Sequence, residues 1–265
     1  MHRNLKSRNI GFTLIEMVIV IVVIGVLSTM TTDIITMPVK SYMDLSRRTS
    51  LANNAEMALT RMQRDIRQAL PNSIRITGSG TVIEMLRTTD GGRYRKSLTF
   101  AGTGDILDFS TTDSSMDIIG ALQSTPSGSL VINNTGVIGG NDAYAGDNLS
   151  AITSATTTQI NFSAKQFPSE SQNQLFFVVD KPVTYLCDTG NNQLLRYEDY
   201  SIAATQSNPP SGASYIQVND VSACLFAYSS GGSSRSGLVT LTITLTDSAG
   251  ESVRLFHQVH VNNTP

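Results

Sequence analysis

Glu16 is the only charged side chain in residues 12–30. A carboxylate inside an apolar helix costs about 2.5–3.5 kcal/mol at mid-membrane depth and less near an end, so a compensating positive group is expected. A cut between Gly11 and Phe12 would create one. The new amine of Phe12 would lie within about one helical turn of Glu16 and could pair with it in the same chain or in a neighbouring one. The positive end of the helix dipole favours the same anion in the first turn.

Cys187 and Cys224 are the only cysteines. If the body lies on the oxidising side of a membrane, a disulfide between them follows, closing a loop worth about 4 kcal/mol by the chain-entropy estimate; two free buried thiols are the alternative. His257 and His260 suggest a metal site, but residues three apart on a strand point to opposite faces, so the pattern places His257 inward with Val259 and Val261 and His260 outward. Asn141, Asp142, Asp147 and Asn148 supply oxygen ligands on a loop, which makes Asp142 and Asp147 weak calcium candidates; ordinary turn chemistry explains them equally well. No spacing yields a catalytic triad, a carboxylate pair or a phosphate loop, so neither an enzyme nor a cofactor is expected.

The elements that must position these groups begin with a basic leader, residues 1–11, carrying Arg3, Lys6 and Arg8 and no acid. The nineteen residues 12–30 would give roughly 28 Å of helix, close to the hydrocarbon thickness of a bilayer. The basic leader predicts a cytoplasmic N-terminus and a periplasmic body. Ser28, Thr29 and Met30 make a poor signal-peptide cleavage site. Pro38 should kink or break the helix. Beyond it, Ala55, Leu59, Met62, Ile66 and Ala69 recur at helical spacing, with Arg61, Arg64 and Arg67 falling mostly elsewhere, and Pro71 forbids continuation. The arginines read as a solvated face partly offset by Asp65.

From residue 71 the period changes to two, and residues 81–87, 93–100, 174–180, 183–187 and 239–246 read as strands. The last buries Val239, Leu241, Ile243 and Leu245 on one face and, with residues 253–261, predicts a C-terminal hairpin. Residues 101–160 read as long loops with short strands.

The hexapeptide Gly11-Phe12-Thr13-Leu14-Ile15-Glu16, after a basic leader and before an apolar run, resembles the prepilin processing motif of type IV pilins and type II secretion pseudopilins. The resemblance covers about the first tenth of the chain. It implies cleavage after Gly11 and methylation of Phe12 by a prepilin peptidase, with Glu16 neutralising a neighbour's N-terminus during assembly. It also implies a pilin-like α+β fold: a long N-terminal helix, its membrane half at 12–37 and its amphipathic half at 38–70, packed on a C-terminal antiparallel β-rich domain, 71–265. Within this family, residues 183–187, 237–241 and 255–261 resemble the O-type minor pilins of the mannose-sensitive haemagglutinin (MSHA) pilus system. The implied role is a minor pilin that helps start or cap a filament. A J-type pseudopilin and a pilus-associated adhesin using loops 101–160 are the alternatives. The implied partners are the prepilin peptidase, the major and other minor pilins, the inner-membrane assembly platform and the lipid bilayer, with the inner membrane and then the extracellular pilus as locations.

Charged residues make up 15% of the chain and its net charge is −2. That balance lacks the basic footprint of a nucleic-acid binder. Loss of residues 1–11 would leave 254 residues (265 − 11) with a side-chain charge of −5 (−2 − 3).

Overall fold

Helix α1, Leu14–Arg67, runs without interruption through Pro38 in the computed structural model, which describes residues 11–137, 139–231, 236–261 and 263–265. The side chains of residues 30–33 and 35 are likewise outside the description, as is the leader apart from Gly11. The break expected at Pro38 therefore does not end the helix. One missing amide donor removes a single bond from a 54-residue ladder, and the helix continues on both sides of it. Two units divide the chain, Met1–Ser50 and Leu51–Pro265.

In the first unit the described side chains of α1 are exposed almost without exception. Among the described residues, no helix is long and apolar enough to cross a membrane. The expected span of residues 12–30 includes Phe12 and Thr13, which precede α1, and Met30, whose side chain lies outside the description. The described apolar stretch, residues 14–29, is sixteen residues or about 24 Å of helix, short of the roughly 30 Å hydrocarbon core.

The second unit begins where α1 acquires one apolar stripe. Leu51, Ala55, Ala58, Leu59, Met62 and Ile66 are buried, and the helix ends at Arg67. Ala69 then bridges to Arg87, and the Leu70 amide donates to the Leu86 carbonyl at 2.8 Å, so the sheet captures the chain as it leaves the helix.

Among the described residues twelve strands follow: β1 Arg75–Thr77, β2 Val82–Arg93, β3 Asp113–Asp117, β4 Ser129–Ile132, β5 Leu149–Ala155, β6 Gln159–Lys165, β7 Leu175–Asp188, β8 Gln193–Glu198, β9 Ala213–Asn219, β10 Val221–Ser229, β11 Gly237–Thr246 and β12 Ser252–Val261. All pairings are antiparallel. Nine strands form one sheet in the order β1-β2-β7-β4-β5-β6-β3, with β8 and then β9 branching from β7; β10-β11-β12 form the second. The chain is thus α+β, an N-terminal helix and a large antiparallel β domain.

The largest core cluster joins the stripe of α1 to both sheets through Ile83, Tyr185, Phe226 and the inward row Val239, Leu241, Ile243 and Leu245. Strands β11 and β12 pair over their full length around the turn at 247–251, forming the C-terminal hairpin. Residues 174–180 and 183–187 are parts of one strand, β7, rather than two. Its Pro182 sits opposite Leu86 beside a register shift, where a missing amide interrupts no regular ladder. Of the expected strand 93–100 only Arg93, the end of β2, is in a strand, and Tyr94 adds one bridge to Ile118. Only Tyr94 of that segment is buried, Leu98 and Phe100 are exposed, and the chain closes on itself through the Thr99 amide and Thr103 carbonyl at 2.8 Å.

Cys187 on β7 and Cys224 on β10 form a disulfide that ties the two sheets together across 37 residues of sequence. Replacing both with alanine should lower unfolding free energy by about 3–4 kcal/mol, read as the urea midpoint at constant slope. A change below 1 kcal/mol would show that sheet packing alone sets the orientation.

Candidate assembly site

Thr13 sets the start of α1. Its side-chain oxygen accepts the Glu16 amide at 3.3 Å, and its carbonyl accepts the Glu16 and Met17 amides at 3.1 and 3.3 Å. This is an N-cap with a glutamate at the third helical position, the Thr-x-x-Glu spacing of a capping box. Glu16 thus sits in the first turn, beside the free amides and the positive dipole end. The cap also gives Thr13 a purpose that hydropathy does not reveal.

Gly11 has no conformational reason to be glycine. A Cβ there would meet nothing within 4 Å, and its backbone lies outside the left-handed region. Glu16 is exposed and, among the described residues, has no ion-pair partner in its own chain. The large apolar side chains around it are between 44% exposed (Val20) and 83% exposed (Leu14) from Leu14 to Leu27, and Phe12 is 77% exposed. A continuous apolar surface of this kind marks a partner or membrane contact.

Residues 6–32 match the family model of the prokaryotic N-terminal methylation motif. The segment therefore supports a type IV pilin or pseudopilin-like subunit, and it implies processing by a prepilin peptidase and assembly with other pilins. No curated protein and no solved structure matches the chain. Gly11, Phe12 and Glu16 all lie within the matched segment, Glu16 in the first turn of the helix.

The other candidate residues lie in the β-rich unit. His257 faces inward from β12 with its Nε2 3.2 Å from Glu56 Oε2 on α1, while His260 is exposed on the opposite face. Asp142 Oδ1 accepts the Tyr144 amide at 3.0 Å, and Asp147 Oδ2 accepts the Gly139 amide at 3.0 Å. Their oxygens serve turns. Among the described residues, no three His, Cys, Asp or Glu side chains come together as a metal site.

Two polar networks carry no signature in the sequence. Asp65 on α1 does not offset its neighbouring arginines; its Oδ2 receives Arg196 Nε and the Tyr185 hydroxyl, each at 2.8 Å, and Arg196 also binds Glu198. The second centres on Glu84, only 1% exposed, which binds Arg75 at 2.6 Å and accepts the Thr184 hydroxyl at 3.2 Å. Arg75 stacks over the Tyr144 ring at 3.7 Å and donates to the carbonyls of Ala203 and Ala204, fastening that loop. The signal for both is an interstrand register, which appears only after strands pair.

Burial pushes the Glu84 carboxyl above its ordinary 4.5, a change that Arg75 opposes without cancelling. The folded chain then takes up this proton at a higher pH than the unfolded chain, so Glu84 makes stability rise as pH falls toward 4.5. Across pH 7 to 5, wild type should gain stability relative to Glu84→Gln, measured by urea unfolding of both. A flat difference would remove Glu84 as the source.

Proposed function

We propose that this chain is a minor pilin, a structural subunit of an MSHA-type pilus that helps start or cap the filament. Its role is assembly rather than catalysis. The observation carrying this reading is the exposed apolar length of α1 with one carboxylate in its capped first turn. A prepilin peptidase cuts between Gly11 and Phe12 and methylates the new amine. The helix holds the subunit in the inner membrane until it exchanges lipid for the side chains of other pilins. Each step keeps the apolar surface out of water and offers Glu16 a neighbouring N-terminus as counterion.

The β-rich unit presents the surfaces that distinguish one minor pilin from another. Support for the MSHA type comes from residues 183–187, 237–241 and 255–261, which the fold places on β7, β11 and β12 in the sheets around the main core. The pilus system is decided by which subunits co-purify: MSHA pilins support this reading, and a type II secretion pseudopilus overturns it.

The membrane-extracted protein should have an intact mass lacking residues 1–11 and carrying one added methyl group. Retention of Met1 to Gly11 would sink the proposal. Glu16→Ala should be processed normally yet reach sheared pili roughly tenfold less than wild type, the consequence of losing about 1.4 kcal/mol of docking. Equal recovery of both forms would show that assembly does not use this carboxylate.

A further inference from the structure

Strands β7, β8 and β9 align Tyr185, Arg196 and Tyr215 in one row across the sheet. The row floors a groove of about 510 Å³ whose opposite wall is the Arg61–Asp65 turn of α1. This volume is in the range of small-ligand pockets. Arg196 and Asp65 are spent on each other, with Tyr185 and Glu198 completing their bonds. The arginines of the wall are not spent. Arg61 makes one 3.3 Å bond to the half-buried Gln217 side chain; Arg61 and Arg64 are both exposed, and among the described residues neither has a carboxylate partner.

Three arginines against Asp65 and Glu198 leave the lining at +1. The surrounding residues 51–265 carry 13 basic and 18 acidic groups, a balance of −5. The groove is therefore a positive spot on an anionic body. Arg61 and Arg64, three apart on one helix face, can both reach a carboxylate. Tyr215, 50% exposed at the outer end, offers a flat apolar face, while Gln217 and Glu198 supply both donors and acceptors.

We propose that this groove binds an acidic saccharide, with its carboxylate on Arg61 and Arg64, a pyranose ring on Tyr215, and its hydroxyls on Gln217 and Glu198. A bare phosphate or sulfate would use the arginines but gain nothing from Tyr215. A uronic acid uses all four kinds of group. The site lies wholly within residues 51–265 and does not depend on the N-terminal processing or on which filament the chain joins.

The test is calorimetric titration of the full chain in detergent with a galacturonic acid tetramer. Neutral galactose tetramer should bind at least tenfold more weakly. Arg61→Gln with Arg64→Gln should lose at least tenfold in affinity, since both side chains are exposed and their removal leaves the core untouched. Tyr215→Ala should lose about as much, and Tyr215→Phe should retain binding. Absence of titratable binding, binding unchanged in these variants, or equal binding of a tetraglutamate peptide would overturn the assignment.

Discussion

Helix α1 carries one hydrogen-bonded backbone through two kinds of surroundings. Its amides and carbonyls are satisfied along the helix, so the backbone makes no demand on what lies around it. Side chains alone decide the partner. Residues 51–66 turn a single stripe toward the sheets and leave Arg61 and Arg64 outside, whereas residues 14–29, apolar apart from Glu16 and the hydroxyls at Ser28 and Thr29, are exposed throughout. The second arrangement calls for apolar surroundings, a membrane or other chains.

The β-rich unit must hold its end of α1 firmly, and it does so by more than apolar contact. Asp65 brings the helix to Tyr185 and Arg196, and Glu56 brings it to His257, so both sheets hold it through polar contacts as well as core packing. These contacts are directional, so they add orientation to the helix's seat on its sheets even where their net stabilisation is small. Glu84 and Arg75 do the same for the loop at 203–204, and the disulfide for the two sheets.

Local pattern revealed much of this. The apolar run, the stripe of α1 and the C-terminal hairpin all come from periodicity, because burial on one face leaves its period in the residues themselves. It misled where local signals compete with packing. Pro38 reads as a breaker, yet a long helix tolerates the loss of one bond; Pro182 reads as a boundary between strands, yet the register shift accommodates it. Residues 93–100 alternate like a strand, but β2 ends at Arg93, Tyr94 makes a single bridge to Ile118, and the chain beyond turns back on itself. The Thr13 cap was readable from its spacing to Glu16, while the row Tyr185, Arg196 and Tyr215 was not, since three strands contribute one residue each.

The sequence by itself determined the processing motif, the uncharged run with its single carboxylate, and the alternation of the main strands, because each is a property of neighbouring residues. Tertiary structure alone decided which groups meet across long separations: Cys187 with Cys224, Asp65 with Arg196, Glu84 with Thr184, and two helix arginines with the face of β9. Those meetings depend on strand order and register. They are set by the packing of the whole core, which no local stretch of residues encodes.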